Sequence, residues 1–180
     1  MRLLKQILSG TAGAEIAETA VVLPILFTIL LGIFFFGRAY NIYGTITQAA
    51  MQGARAAVAP TCATCTNTTL TADQIATTVV APVLQASKLD PAAVQSITPA
   101  VCACGTAVCG TPVACDAAGV SATPSICVQQ NVRLNGNTTD PPACGIAVSF
   151  QYPYQFWLPF TSLNKQLIQL KALAQMTGEN

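Results

Sequence analysis

The strongest constraint on this chain is a run of nineteen uncharged, mostly large apolar residues, TAVVLPILFTILLGIFFFG, between Thr19 and Gly37. Coiled as a helix, a segment of this length crosses about 30 Å of hydrocarbon, the thickness of a bilayer core. The sequence therefore predicts one transmembrane span over residues 19–37.

Charged residues around this run predict its orientation. Arg2 and Lys5 precede it, together with the amino terminus, and positive charge is retained on the cytoplasmic side of a membrane. Everything after Arg38 is then expected outside the cytoplasm. Tyr40 and Tyr43 are expected at the outer interface, where aromatic side chains are enriched.

Composition narrows the range of functions. The eight Lys and Arg are scattered and the net charge is +1, so the chain lacks the clustered positive charge that binds nucleic acid. It also has no histidine, which is the usual general base and the commonest metal ligand. We therefore expect no nucleic-acid partner and no enzymatic activity.

A secretory signal peptide is an alternative interpretation of the N-terminus. Its apolar region usually spans about 7–15 residues directly after a basic segment, whereas Glu15 and Glu18 stand before the apolar run here. Carboxylates close to hydrocarbon are costly and need a reason. The positive end of the helix dipole accounts in part for Glu18, but it does not account for the glycines spaced ahead of both acids.

Several short motifs accompany these acids in one register. They are Gly13-Ala14-Glu15-Ile16-Ala17-Glu18, Pro24, Leu31-Gly32-Ile33, Gly37-Arg38-Ala39-Tyr40 and Gln52-Gly53-Ala54-Arg55. Together they resemble the N-terminal signature of TadE-like minor pseudopilins, which serve Tad/Flp pili; the resemblance covers about residues 10–58 and, loosely, the last thirty. Phe35 departs from the pattern, since such proteins often carry an acid just before Phe-Gly-Arg.

The resemblance implies a leader that is removed. In this family, as in type IV pilins, a prepilin peptidase cuts after a glycine and leaves a glutamate fifth in the mature chain. Cleavage after Gly13 makes Ala14 the first residue and Glu18 the fifth. Residues 1–13 would then be the leader, and Glu18 the residue that acts in assembly.

A second cleavage site has the same spacing. Cutting after Gly10 would make Thr11 the first residue and Glu15 the fifth. The family pattern also places a proline six residues after the glutamate. Pro24 lies six residues after Glu18, so the pattern favours Gly13.

The resemblance also implies partners and a location. The partners are the prepilin peptidase, other pilin and pseudopilin subunits, the pilus assembly machinery and membrane lipid, with no cofactor. The location is the bacterial inner membrane, in a single pass with a cytoplasmic N-terminus, and the subunit either stays there or enters an extracellular pilus. The alternative function is a membrane-anchored extracytoplasmic cysteine-rich redox or ligand-binding module, which would keep Met1.

Helical periodicity continues beyond the apolar run and stops at Pro60. Apolar or small residues recur every three or four positions at Ile42, Ile46, Ala49, Gly53 and Ala57. We predict a helix over residues 14–59, bent at Pro24. A threonine-rich linker over residues 60–71 and an extracytoplasmic head over residues 72–180 follow.

The head is expected to begin with a short helix. Thr71 and Gln74 have the spacing of a capping box, which predicts a helix from Ala72 to about Ser87. Its apolar stripe is predicted at Ile75, Val79 and Val83, and Pro82 should bend the helix or end it early.

After Pro91 the apolar period shortens to two, which is typical of strands. Two antiparallel strands are predicted, the first with Ile126, Val128, Gln130, Val132 and Leu134, the second with Ile146, Val148, Phe150 and Tyr152, joined through Asn135-Gly136-Asn137. Residues 94–101 are a further candidate. Residues 163–176 fit a helix or a strand, and the resemblance favours a strand.

The predicted fold is α+β: a long N-terminal transmembrane helix and a small disulfide-linked head of one short helix and an antiparallel sheet.

Eight cysteines lie in the expected extracytoplasmic part: Cys62, Cys65, Cys102, Cys104, Cys109, Cys115, Cys127 and Cys144. An even number in an oxidising compartment predicts disulfides, in a pairing that the sequence leaves open. Two alternatives are a redox pair at Cys62 and Cys65, or zinc held by the CxxC and CxC thiolates. Structural disulfides are favoured, because Cys62 follows a helix C-terminus and zinc thiolates need reducing conditions.

The remaining polar and aromatic groups favour no chemical site. The triplets at Asn67 and Asn137 match the N-glycosylation pattern but mark threonine-rich loops. The acids at 73, 90, 116, 140 and 179 are well separated and are expected on the surface. The aromatic run at 152–160 is expected at the edge of a core, or in a subunit contact.

Overall fold

A computed structural model of the protein describes residues 11–59 (side chains from residue 16), 69–105, 112–115, 123–134, 143–155 and 167–177. Contacts between residues divide the chain into two units, Met1–Tyr40 and Asn41–Asn180. The boundaries drawn above between leader, helix, linker and head stay predictions.

The long helix α1 spans Thr11–Val58, which corresponds to about 72 Å at 1.5 Å per residue. It ends where predicted, ahead of Pro60, and the amide of Ala59 still donates to the carbonyl of Arg55 at 3.1 Å. Pro24 lies inside the helix, which continues through it. The hydroxyl of Thr28 donates to the carbonyls of Pro24 and Ile25, at 3.1 and 2.8 Å.

Within the second unit, one face of α1 packs into the core, as its periodicity predicted. Its buried residues are mostly small: Ile46, Ala49, Ala50, Gly53, Ala54 and Ala57. At Gly53 an added Cβ would lie 3.3 Å from Val80 and 3.4 Å from Ile75. The small stripe therefore brings the helix backbone close to the elements beneath it.

The second helical segment consists of α2 (Ala72–Ile75), a π-helix (Ala76–Val80) and α3 (Ala81–Ala86). The predicted capping box is confirmed: the amide of Gln74 donates to Thr71 Oγ1 at 3.3 Å, and the amide of Thr71 donates to Gln74 Oε1 at 3.0 Å.

The π-helix changes which residues of this segment are buried. Ile75 is buried as predicted and Val83 packs against the core while partly exposed, whereas Val79 is only half-buried and the fully buried residues are Val80 and Leu84. The amide of Ala81 bonds the carbonyl of Ala76, five residues back, and this wider turn adds one residue to the spacing.

Pro82 does not end the helix early, which was one of its two predicted effects. It is the second residue of α3, directly after the π-helix, where the hydrogen-bond pattern of the segment is already irregular. The segment therefore continues to Ala86, and a 3₁₀ turn at Pro91–Ala93 follows.

Four antiparallel strands form the sheet: β1 (Gln95–Ser96), β2 (Cys127–Arg133), β3 (Cys144–Gln155) and β4 (Leu167–Thr177). β4 pairs with residues 145–155 of β3, β2 with residues 144–149 and β1 with residues 150–151. The two predicted strands and the strand interpretation of the C-terminal segment are confirmed. Residues 94–101 contribute only the two residues of β1.

A bulge in β2 interrupts the alternation predicted there. Gln130 and Asn131 stand opposite Ile146 alone, and Asn131 has a φ of 54°, in the left-handed region that asparagine tolerates. The extra residue moves Val132 to the other face of the sheet, opposite Gly145. The predicted single apolar face from Ile126 to Leu134 is therefore wrong beyond Val128.

The apolar core lies between the helices and one face of the sheet. It contains Ile46, Ile75, Val80, Leu84, Ile126, Val128, Val148, Phe150, Ala172 and Ala174, among others. We call this the core face, and the opposite one the outer face. The α+β fold class predicted from the sequence is confirmed.

Gly145 and Gly44 differ in the space that their surroundings leave for an added Cβ atom. A Cβ at Gly145 would overlap the backbone carbonyl of Met176, whereas a Cβ at Gly44 would meet nothing within 4 Å. We expect Gly145→Ala to lower the unfolding free energy by about 1–3 kcal/mol or more, because a strand backbone cannot move aside easily. Gly44→Ala, in an exposed part of α1, should raise it by up to about 1 kcal/mol. Denaturant titration of both variants in the same detergent checks the pair, and equal effects would contradict the register of β3 and β4.

Candidate functional site

The first part of α1 exposes apolar side chains on all sides. Those exposed by 45–72% are Ile16, Val21, Val22, Leu23, Ile25, Leu26, Phe27, Ile29, Leu30, Ile33, Phe34 and Phe36. Among the described residues, α1 is the one helix long and apolar enough to cross a membrane by length and composition, with a mean hydropathy of 2.6 in its most apolar window. A helix that is apolar all round needs an apolar environment, and lipid provides one.

Glu18 lies at the beginning of this apolar surface. Its side chain is exposed and makes no hydrogen bond or ion pair with any residue that the structure describes. Ala14 precedes it by four residues, so the two lie on the same side of the helix, one turn apart. A charge at Ala14 would be the nearest available partner within the helix.

The predicted cleavage site lies on α1. The backbone is helical at Gly13 and Ala14, while the alternative Gly10 lies outside the described residues.

Phe35 differs from its neighbours in exposure. It is 9% exposed, while Phe34 and Phe36 are 62% and 72% exposed, and its ring packs edge-on against Phe34 with centroids 5.6 Å apart. The Phe35 ring is thus shielded between two exposed neighbours.

The tyrosines predicted at the outer interface are exposed. Tyr40 is 79% and Tyr43 46% exposed, as side chains that meet lipid headgroups must be.

Disulfides join chain segments on the outer face of the sheet. Cys104 bonds to Cys144 and Cys115 bonds to Cys127, with Cα atoms 5.5 and 5.1 Å apart, within the usual range. Cys102 is also disulfide-bonded. The predicted disulfide-linked head is confirmed for these five cysteines, and Cys62, Cys65 and Cys109 lie outside the described residues.

Hydrogen bonds hold the same segments against the outer face. The Ser149 hydroxyl donates to the carbonyl of Ile97 at 2.9 Å. Gln129 Nε2 donates to the carbonyls of Pro99, at 3.2 Å, and Val113. We call residues 97–104 and 112–115 the outer layer.

Sequence reasoning missed Gln129 and Ser149. Both are fully buried, and Gln129 Oε1 has no hydrogen-bond partner among the residues that the structure describes. The available signal was a polar residue at each of two strand positions whose neighbours are apolar. That signal is weak, because alternation alone predicts such positions to face solvent.

The structure brings no metal-ligating cluster together among the residues it describes. A four-thiolate zinc site built on the CxC pair is contradicted, because Cys102 and Cys104 are in disulfides and a bridged sulfur is no thiolate ligand. The redox alternative at Cys62 and Cys65 lies outside the described residues, as do Asn67 and Asn137.

The described acids and aromatics have structural roles. Asp90 caps the 3₁₀ turn, its Oδ1 accepting from the amide of Ala92 at 2.9 Å, and Asp73 lies in the first turn of α2. Tyr152 packs against the core and its hydroxyl accepts from the Asp90 amide at 3.3 Å. Tyr154 is 4% exposed, so the described part of the aromatic run is core edge.

Comparison with known proteins identifies a family for the helix. Residues 13–55 match the family described as TadE-like protein, and this segment lies wholly within α1. No curated protein and no solved structure matches the chain. The resemblance seen in the residues is confirmed over this segment. The helix that carries this match is long and apolar enough for a single-pass membrane anchor.

Removing the bridges should weaken the head. We expect Cys104→Ala/Cys144→Ala and Cys115→Ala/Cys127→Ala each to lower the unfolding free energy by about 2–5 kcal/mol, because each bridge restricts the unfolded chain. Denaturant titration of oxidised protein measures the loss, and thiol labelling of unreduced wild type should stay low. Stoichiometric zinc together with reactive thiols would contradict the disulfide assignment.

Proposed function

We propose that this protein is a minor pseudopilin of a Tad/Flp-type pilus or related secretion system, cut by a prepilin peptidase and active in pilus assembly. The observation that carries the proposal is the match of residues 13–55 to the TadE-like family, on a helix whose apolar side chains are exposed. In this function the protein is a structural subunit and has no enzymatic activity of its own.

The exposed apolar part of α1 supports a membrane anchor. Its basic residues, Arg2 and Lys5, lie before it, which supports a cytoplasmic N-terminus and an extracytoplasmic head. Disulfides in the head support the same orientation, because they persist in oxidising compartments. The anchored subunit would then meet other pilins through the membrane.

Cleavage after Gly13 would create a partner for Glu18, whose side chain makes no ion pair with the described residues. The new amino group of Ala14 is cationic and Glu18 is anionic, and both would lie near the membrane interface, where charges are poorly solvated. A carboxylate of one subunit paired with the amino terminus of a neighbour would neutralise both charges. Such a pair would also fix the axial register between subunits.

A second candidate function is a membrane-anchored redox or ligand-binding module, supported by the cysteine-rich head. It differs from the first in a directly measurable property. A module on an ordinary anchor keeps Met1, whereas a pseudopilin loses its leader.

Leader removal is therefore the primary test. We expect intact mass analysis of protein from its native membrane to give a chain that begins at Ala14. Gly13→Arg should block cleavage, because a bulky charged side chain keeps the peptidase from the backbone, and Gly10→Arg should be cut normally. A mature chain beginning at Thr11 would move the site to Gly10, and an intact leader in wild type would refute the proposal.

Glu18 should matter for assembly and little for cleavage. We expect Glu18→Ala to lose its leader and enter the membrane normally but to fail in co-assembly, because the unpaired amino terminus costs about 3–5 kcal/mol if the pair is fully buried. Glu15→Ala lacks the required spacing and should assemble like wild type. Co-purification with the other pilin subunits measures assembly, and normal assembly of both variants would leave Glu18 only a helix-terminus charge.

A further inference from the structure

The two described disulfides of the outer layer differ in their access to solvent. Cys127 is fully buried and its partner Cys115 is half-buried, with the Thr98 hydroxyl 3.2 Å from the Cys115 sulfur. Cys144 is exposed and Cys104 is half-buried. Thiol–disulfide exchange requires an attacking thiolate to reach a sulfur, so a reagent reaches the second bridge far more easily.

The Cys104–Cys144 bridge joins the outer layer to the sheet at one end. Cys144 is the first residue of β3, beside Ala143, whose carbonyl accepts from the Leu134 amide at 2.9 Å. The Cys104 amide donates to the carbonyl of Asn131, the bulge residue, at 2.7 Å. Beyond the bulge, the Arg133 amide of β2 donates to the carbonyl of Cys102 at 2.8 Å.

Small side chains form this end of the layer. Cys102, Ala103 and Cys104 are all half-buried, and Ala103 pairs with Val132, which is fully buried on the outer face. By contrast, Cys115–Cys127 is close to the two hydrogen bonds donated by the buried Gln129. The apolar core cluster occupies the other face of the sheet, so opening this end uncovers Val132 and leaves that cluster covered.

We propose that Cys104–Cys144 is an exchange-active disulfide, which a dithiol reduces while the sheet and its core stay folded. Its substrate class is a vicinal or CxxC dithiol, either a small molecule or a thiol–disulfide oxidoreductase. This inference does not depend on the pilus function proposed above.

The exchange proceeds in two balanced steps. A thiolate of the dithiol attacks the Cys144 sulfur, forms a mixed disulfide and releases Cys104 as a thiolate. The second thiol, after losing its proton, attacks the dithiol's own sulfur in that mixed disulfide and releases the Cys144 thiolate. The dithiol becomes a disulfide, and the protein gains two electrons and, once the thiolates are protonated, two protons.

The test uses the full oxidised chain in detergent micelles with limiting dithiothreitol and no denaturant. Samples taken over time are quenched with acid, alkylated and mapped by mass spectrometry. We expect Cys104 and Cys144 to be labelled at least about tenfold faster than Cys115 and Cys127, because the buried pair reacts only after a costlier opening. Hydrogen exchange should show lost protection at the Cys104 and Arg133 amides, which bond the layer to β2, and retained protection at Val148 and Phe150.

Two matched variants provide the controls. Cys115→Ser/Cys127→Ser should keep the fast labelling of Cys104 and Cys144, and Cys104→Ser/Cys144→Ser should keep Cys115 and Cys127 slow. The proposal is overturned if wild-type Cys115 and Cys127 react as fast as the other pair. It is also overturned if Cys104 and Cys144 react only when Val148 and Phe150 lose protection. Leader processing and pilus assembly of wild type are unaffected by either result, so the two proposals fail separately.

Discussion

The close approach of α1 to the head is the contact on which the rest of the second unit depends. Alanine and glycine at 49, 50, 53 and 54 leave no side chain long enough to hold the helix away. Ile75, Val80 and Val148 then reach the position of Gly53 within 3.5 Å of where its Cβ would be. Dense packing of this kind makes each added methyl costly, so the residues opposite the stripe are constrained in size as well as polarity.

The two faces of the sheet are stabilised by different chemistry. The core face buries large apolar side chains such as Phe150 and Leu84, whose transfer from water provides the main favourable free energy. The outer face buries Gln129 and Ser149 beneath a layer with few large apolar residues. Covalent bridges and hydrogen bonds to backbone carbonyls hold that layer, as is typical of small domains that cannot bury enough apolar surface.

The parts of the fold predictable from sequence were those set by local pattern. The apolar run, the stripe of α1, the capping box at Thr71 and the period-two strands each depend on residues a few positions apart. The π-helix and the β2 bulge were not predictable in this way. Each inserts one residue into a regular period, and only the packing of distant elements determines where the insertion is tolerated.

The features of the candidate site also differ in whether local sequence pattern or the packing of distant segments determines them. Gly13, Glu18 and Pro24 were predicted as site residues from spacing along the chain alone, whereas the disulfide pairing depends on which segments the fold brings together. Cys104 and Cys144 are 40 residues apart and Cys115 and Cys127 are 12 apart, and neither separation identifies a partner. Only the outer layer, held across β2 and β3, brings each cysteine to its partner.

The two units also differ in how many costly groups, such as unpaired charges and exposed apolar side chains, they leave uncovered. Among the described residues, Glu18 and the apolar surface around it carry groups that are costly in isolation, a charge without a partner and a helix without an apolar neighbour. In the described part of the head the core is buried and the cysteines are bonded, and the large apolar side chains exposed there are few, among them Leu167, Ile168 and Leu173 of β4. The helix therefore carries the larger exposed apolar surface, and such a surface favours an apolar environment.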